Sequence, residues 1–474
     1  MASYNSWRGA KSHGNESLLN DVLIGRFGLE GFVVGDWNGH GQVAGCTPTS
    51  CAAAFNAGLD MFMAPETWRP LYENTLAQVR SGEIPMARLD EAVSRILRVK
   101  VRAGLFEVGR PSSRPYAGQW NLLGSPEHRA VARQAVRESL VLLKNDGNIL
   151  PLNANINVLV AGDGADNLGK QTGGWTISWQ GSDNSRADFP NAQSIYEGIR
   201  ERVQAGGGRA TLSVDGSFTQ RVSEFCPDGP TMPCQASGGR PDVAIVVFGE
   251  DPYAEFQGDR DTLDYTPTGD LALMQRLRAQ GIPVVAVFLS GRPMYVTPEL
   301  NASNAFVAAW LPGSEGGGIS DLLFRPASGA TAYDFHGTLS YSWPRAPDQT
   351  PLNVGDANYD PLFAYGYGLT YRDRRNLGTL QEAAASTSTT SNLSTYFAGG
   401  RAASPWAVSL VRQAARRRRL AQQRRTPRYQ GSASRVSITC SRKTPCWRAG
   451  PAVNARASPS PARRSIFRAR AMAI

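Results

Sequence analysis

Two stretches, GFVVGDWNGHG at 31–41 and FGEDPYAEFQGD at 248–259, decide how this chain reads. Each sets carboxylates at the end of an apolar run with the character of a buried strand. Val33 and Val34 lead into Asp36 and Trp37, and Val243 to Phe248 lead into Glu250, Asp251 and Glu255. Acidic groups just past a buried strand stand at the carboxyl edge of a sheet, where α/β proteins bind ligands. A carboxylate beside a tryptophan suits a sugar, whose hydroxyls meet the acid and whose C–H face meets the indole. A single Asp after a strand is more commonly a helix cap. It is the pair of motifs that points to chemistry.

Around these stretches, apolar runs at 157–161, 243–248, 284–288 and 306–311 alternate with helical stretches such as 270–278. That alternation predicts a parallel, layered α/β sheet. Leu89, Val93, Ile96, Leu97 and Val101 recur near the helical period and predict an amphipathic helix over 85–105. Ala52 to Met63 reads as a short helix running into a strand end. GRPSSRPYAG at 109–118 is rich in Pro, Gly and Ser and fits a linker over 109–124. A second domain then opens at Ser125, a helix cap followed by Pro126, with a buried stripe expected from Val131, Ala135, Val136, Ser139, Leu140 and Leu143. PGSEGGGISDLLF at 312–324 reads as a glycine turn feeding a helix, and it lacks the pattern of a phosphate loop. The polar, Pro- and Gly-broken residues 219–240 read as a surface insertion.

The net charge of +10 is misleading. Residues 401–474 hold 18 Lys and Arg and no Asp or Glu, so acidic residues outnumber basic ones, 40 to 32, in 1–400. An acidic globular protein therefore carries a basic, low-complexity tail over 376–474, expected to be disordered. The abrupt change of composition points to a shifted reading frame more than to an interaction arm. Aromatic interleaving and a folded basic face are both missing from the tail, so no nucleic-acid partner is expected. The four His are scattered and the Cys pairs 46/51, 226/234 and 440/446 lack zinc spacing, so no metal and no cofactor are expected. Cys46 and Cys51 are placed for a small disulfide if the chain is exported. Apolar runs fall well short of the ~20 residues of a membrane span, and residues 1–24 carry no signal-peptide pattern.

MASYNSW at 1–7, GFVVGDW at 31–37, AGLDMFM at 57–63, GGWTISWQG at 173–181 and GEDPYAEFQGD at 249–259 together resemble the family 3 glycoside hydrolases. The likeness covers about residues 1–380 and is nearest to the β-glucosidases and exo-acting β-glucan glucohydrolases. It implies the C-terminal part of a (β/α)8-like barrel over 1–108, followed by an α/β sandwich over 125–375. The implied function is hydrolysis of terminal β-D-glucosidic bonds by a retaining double displacement, on a β-glucan or β-glucoside, in a periplasmic or secreted enzyme of polysaccharide degradation.

The resemblance makes Asp36 the nucleophile. From the residues alone Glu255 and Glu250 are equal candidates for the acid/base, and the resemblance selects Glu255. Tyr4, Trp37 and Trp179 match positions that line the sugar subsites. Lys11, His13, Asp60 and Trp175 also lie in family motifs, where packing and substrate contact read alike, whereas His40 reads as a solvated loop histidine. Nothing here matches the family's Lys-His pair or the Asp and Arg that hold the terminal glucose, so the chain reads as a fragment. The competing expectation is therefore a catalytically inactive, glucan-binding remnant. Linkage preference is not legible.

Overall fold

In a computed structural model, the protein is described over residues 1–217, 240–325 and 333–383, with strand segments at 397–398, 401–402, 406–411, 418–419 and 435–440. The chain divides into two compact units, Met1–Leu123 and Gly124–Ile474.

The first unit opens with a hairpin of β1 (Ser6–Trp7) and β2 (Ala10–Lys11). A π-helical stretch at Ser17–Arg26 follows, then β3 (Val34–Trp37). After α1 (Ala52–Asn56), β4 (Met61–Met63) pairs parallel with β3. These two strand pairs are the described sheet structure of the unit, and a closed barrel is not among them. Two longer helices complete it, α2 (Trp68–Ser81) and α3 (Met86–Arg102).

The face that α3 buries differs from the one expected. Val93, Leu97 and Val101 are exposed, while Arg88, Ala92 and Arg95 are buried. The reason is the Asp60 carboxylate, fully buried at the foot of β4, which Arg88 meets at 2.7 Å and Arg95 at 3.4 Å. A buried charge must be paired, and α3 meets that requirement with its arginines while Leu89, from the expected stripe, still packs against the core.

The second unit is built on six strands. β5 is Val141–Asn145, β6 Asn157–Ala161, β7 Arg209–Leu212, β8 Val243–Gly249, β9 Val284–Leu289 and β10 Ala305–Trp310. Their order is β5-β10-β9-β8-β6-β7, parallel throughout except where β5 runs against β10. Successive residues of a strand face opposite ways, and here both faces are covered. Ile245, Val247, Val285 and Val287 pack against Val136, Ile199, Val203 and Ile319. Ala244, Val246, Phe248 and Phe288 pack against Leu273, Met274, Leu277 and Trp343. Burying a side chain such as Phe248 contributes about 1.5–3 kcal/mol, which explains why these strands read as unbroken apolar runs.

Ser125 caps α4 (Pro126–Ser139), accepting from the backbone N–H of His128. Of the stripe expected on this helix, Val136 is buried in the core, but most of the remainder does not dock it. Val131 is 69% exposed, and Leu140 and Leu143 lie beyond the helix end. Instead Arg129 pairs with Glu315 at 2.7 Å, while Arg133 and Arg137 pair with Asp321 at 2.7 and 3.0 Å. Asp321 lies on α9 (Gly317–Leu323), the helix expected after the glycine turn. Burial alone would raise the Asp321 carboxyl, but bonds and charge from Arg133 and Arg137 outweigh it and hold it below the usual carboxylate range. The other helices are α5 (Leu168–Thr172), α6 (Ile195–Ala205), α7 (Thr268–Ala279) and α8 (Thr297–Asn301).

In the tail, where composition predicts disorder, Trp406–Val411 pairs antiparallel with both Arg418–Arg419 and Arg435–Cys440. RVSITC at 435–440 alternates polar and apolar residues and WAVSLV at 406–411 is a short, mostly apolar run, both strand patterns in an otherwise polar region. Residues 218–239, nearly all of the expected insertion, lie outside the described residues. Among the described residues no helix is long and apolar enough to cross a membrane, and no group of three His, Cys, Asp or Glu is placed to hold a metal ion.

Candidate active site

Asp36 lies in the first unit and Glu255 in the second, and each is built by its own unit.

In the first unit, Asp36 is held by a backbone device. Val33 donates its N–H to the buried Asp60 carboxylate at 2.8 Å, which ties the base of β3 to the Arg88–Asp60 pair. Three residues on, the N–H of Asp36 donates to Nε2 of His13 at 2.8 Å. Asp36 Oδ1 accepts from the N–H of Trp37 at 2.7 Å, so the half-buried carboxylate is held by its own strand end. Gly39 is required here, because a Cβ at that position would come within 2.4 Å of the His13 ring. Tyr4 reaches the same point, its hydroxyl donating to the Trp37 carbonyl, and Lys11 Nζ donates to the Tyr4 carbonyl at 3.1 Å. The structure thus brings Tyr4, Asp36 and Trp37 together, with the Trp37 indole exposed.

His13 and Asp60 are interior supports. His13 is 1% exposed, and burial, the largest influence, pushes its imidazole below the ordinary value while the Asp36 charge pulls it upward. His40 corrects the sequence reading: it is buried, not solvated. Its ring packs edge-on to Phe62 at 4.8 Å and Nε2 lies 2.9 Å from the Pro48 carbonyl. The Cys46–Cys51 disulfide closes the loop that carries Pro48.

In the second unit, Glu255 sits on one of two interlocked loops. Gly174 packs so closely on the Tyr253 carbonyl that a Cβ would approach to 1.9 Å. The Gln180 side chain then clamps the acidic loop, accepting from the N–H of Ala254 at 2.7 Å and donating to the Glu255 carbonyl at 3.0 Å. Trp179, next to Gln180, stacks edge-on to Phe256 at 6.0 Å. Trp179 and Glu255 are therefore neighbours.

The structure separates the two glutamates that the sequence leaves level. Glu250 is inward and engaged on every side. Its carboxylate accepts from Tyr253 Oη at 3.0 Å and Ser290 Oγ at 3.2 Å, and pairs with Arg292 at 3.2 Å and Arg260 at 3.6 Å. Glu255 is exposed, and its carboxylate takes no hydrogen bond or ion pair among the described residues. The first carboxylate is taken up within the fold and the second stands open to solvent. Sequence reading missed the support beneath them. Lys170, 3% exposed, donates to Asp163 at 2.6 Å and to the Gly249 carbonyl at 3.1 Å, and pairs with Asp251 at 3.1 Å. Burial would lower its ammonium, but Asp163 and Asp251 outweigh that and raise it. The one available signal is a lone lysine in NLGKQT, just before GGWTISWQG.

Residues 1–99 match the glycosyl hydrolase family 3 N-terminal domain, and residues 140–371 match the glycosyl hydrolase family 3 C-terminal domain. The lysosomal β-glucosidase of Dictyostelium discoideum is 33% identical over 384 residues, 77% of this chain and 44% of that protein. The periplasmic β-glucosidase of Salmonella typhimurium is 29% identical over 423 residues, 78% of this chain and 52% of that protein. Among solved structures, the exo-1,3/1,4-β-glucanase ExoP of a Pseudoalteromonas species is 47% identical with a TM-score of 0.76, covering 88% of this chain and 49% of that one. A glutamine-to-alanine variant of ExoP is 50% identical with a TM-score of 0.75, covering 81% and 59%. The chain spans about half the length of the curated relatives it matches. With both domain models matched in order, the chain belongs to glycosyl hydrolase family 3.

Proposed function

We propose that this chain carries the two catalytic carboxylates of a retaining exo-β-glucosidase. The observation that carries the reading is the contrast between Asp36, fixed by its own backbone and His13, and Glu255, exposed and unengaged beside Trp179. Asp36 attacks the anomeric carbon as a carboxylate while Glu255 gives its proton to the departing glycosidic oxygen. A glucosyl ester on Asp36 results. Glu255 then takes a proton from water, the hydroxide attacks the same carbon, and Asp36 leaves as a carboxylate. Two inversions retain the β configuration, a chemistry that needs the carboxyls about 5 Å apart and no cofactor.

Tyr4, Trp37 and Trp179 supply the aromatic faces for the sugar rings. The first unit is read as the C-terminal part of a (β/α)8-like barrel. The likeness to an exo-1,3/1,4-β-glucanase makes 1,3- and 1,4-linked β-glucans the substrates of choice. Relatives named for periplasmic and lysosomal β-glucosidases, together with the Cys46–Cys51 disulfide, support a compartment outside the cytoplasm. The relatives are named for hydrolysis, which favours turnover over an inactive glucan-binding remnant. A sugar, and not a nucleic acid, is the partner.

The test is incubation with laminaribiose and cellobiose, following the anomers of released glucose by NMR. β-Glucose appearing first supports the reading; α-glucose first, or no release by folded protein, contradicts it.

A further inference from the structure

Four large side chains stand exposed on the two clamped loops of the second unit. Phe256 is 72% exposed, Trp175 68%, Ile177 66% and Trp179 46%. Of the four, the aromatic three form one patch: Trp175 and Trp179 lie 6.1 Å apart between ring centres, and Trp179 meets Phe256 edge-on at 6.0 Å. Three of the four hold left-handed backbone, at φ 58 for Trp175, 61 for Ile177 and 71 for Phe256. Such a conformation is uncommon for any side chain and an outlier for a bulky or β-branched one. The loops enforce it. Trp175 N–H donates to the Trp179 carbonyl at 2.9 Å, Asn184 Nδ2 donates to the Thr176 carbonyl at 2.6 Å, and Gln180 holds the backbone at Ala254 and Glu255. Strain maintained by its surroundings collects at ligand clamps, and exposed apolar patches mark binding surfaces.

We propose that Phe256 is a specificity-determining residue that grips the leaving-group portion of an oligosaccharide, extending the aromatic surface of Trp179 by one further glucosyl unit. The proposal rests on Glu255 being the proton donor. A proton donor stands at the glycosidic oxygen, and Phe256, next to it in the chain and in edge contact with Trp179, is placed to border the leaving sugar. The occupant is a sugar chain because the patch is bordered by carboxylates free to accept hydroxyls. Neither Glu255 nor the exposed Asp259 has an ion-pair partner among the described residues. Phe256 itself fills no interior space, and its left-handed backbone would suit glycine better.

The whole chain is titrated with glucose and with non-hydrolysable thio-linked trisaccharides of β-1,3- and β-1,4-glucose, read by tryptophan fluorescence. Phe256→Ala is expected to weaken trisaccharide binding roughly 3- to 10-fold, the worth of one aromatic contact, and to leave glucose binding unchanged. Phe256→Trp retains the affinity. Phe256→Gly weakens it equally while keeping or raising the melting temperature. The proposal is overturned if Phe256→Ala binds trisaccharide as the parent does, if glucose and trisaccharide lose affinity in step, or if the parent binds trisaccharide no more tightly than glucose. Because the ligands are not cleaved, failure here is distinct from failure of the hydrolytic reading, which turnover assays decide.

Discussion

The backbone N–H of Asp36 donates to Nε2 of the buried His13 at 2.8 Å, so the strand end that carries the candidate nucleophile depends on an uncharged imidazole.

Burial pushes His13 below its ordinary 6.5, so the folded chain binds that proton less readily than the unfolded chain does. The stability it contributes is present above about pH 6.5 and is lost as the pH falls below that value toward the depressed folded value. His40, lowered by burial, acts in the same direction. Hydrogen exchange of the 34–37 amides, corrected for intrinsic rate, should accelerate between pH 7 and pH 5. A His13→Ala variant should exchange rapidly at both. Protection that ignores pH in the parent would refute this role.

Asp60→Asn should destabilise the first unit by about 3–5 kcal/mol, because Arg88 and Arg95 would be left buried without their shared counter-charge. Urea unfolding followed through the first unit measures it. A loss below about 1 kcal/mol, as for an exposed pair, would mean that the two guanidiniums find other partners.

Glu250→Gln and Glu255→Gln should fail in different ways. The first uncouples Arg292, Arg260 and Tyr253 and should lower the melting temperature. The second should melt like the parent and lose turnover of substrates with poor leaving groups, while activated aryl glucosides are largely spared. Thermal melts beside rates on an alkyl and an activated aryl β-glucoside give both readings. Reversal of the two patterns would make Glu250 the proton donor.

The strands of the second unit are legible because both faces of its sheet are buried, which leaves runs such as VAIVVF with no polar residue to misplace them. Ser125 and Pro126 announce α4 for an equally local reason. The faces of α3 and α4 are misread when apolar spacing alone defines the docking side. In both helices arginines dock beside a single residue of the expected stripe, Leu89 or Val136, on the carboxylates of Asp60, Glu315 and Asp321, which lie far away in sequence. The same distance hides the difference between Glu250 and Glu255, set by Arg292 and Gln180. Left-handed backbone at Trp175 and Phe256 has no sequence signal, since residues of those types rarely adopt it.

The central claim, that Asp36 forms the covalent intermediate, is tested most directly by trapping it. The chain is treated with a β-glucosyl fluoride whose second hydroxyl is replaced by fluorine, which slows breakdown of the glycosyl ester, and is then digested for peptide mass spectrometry. One fluoroglucosyl group on the peptide containing Asp36, absent in Asp36→Asn, is the result expected. A label on another carboxylate, or none on folded protein that binds glucan, would contradict the assignment.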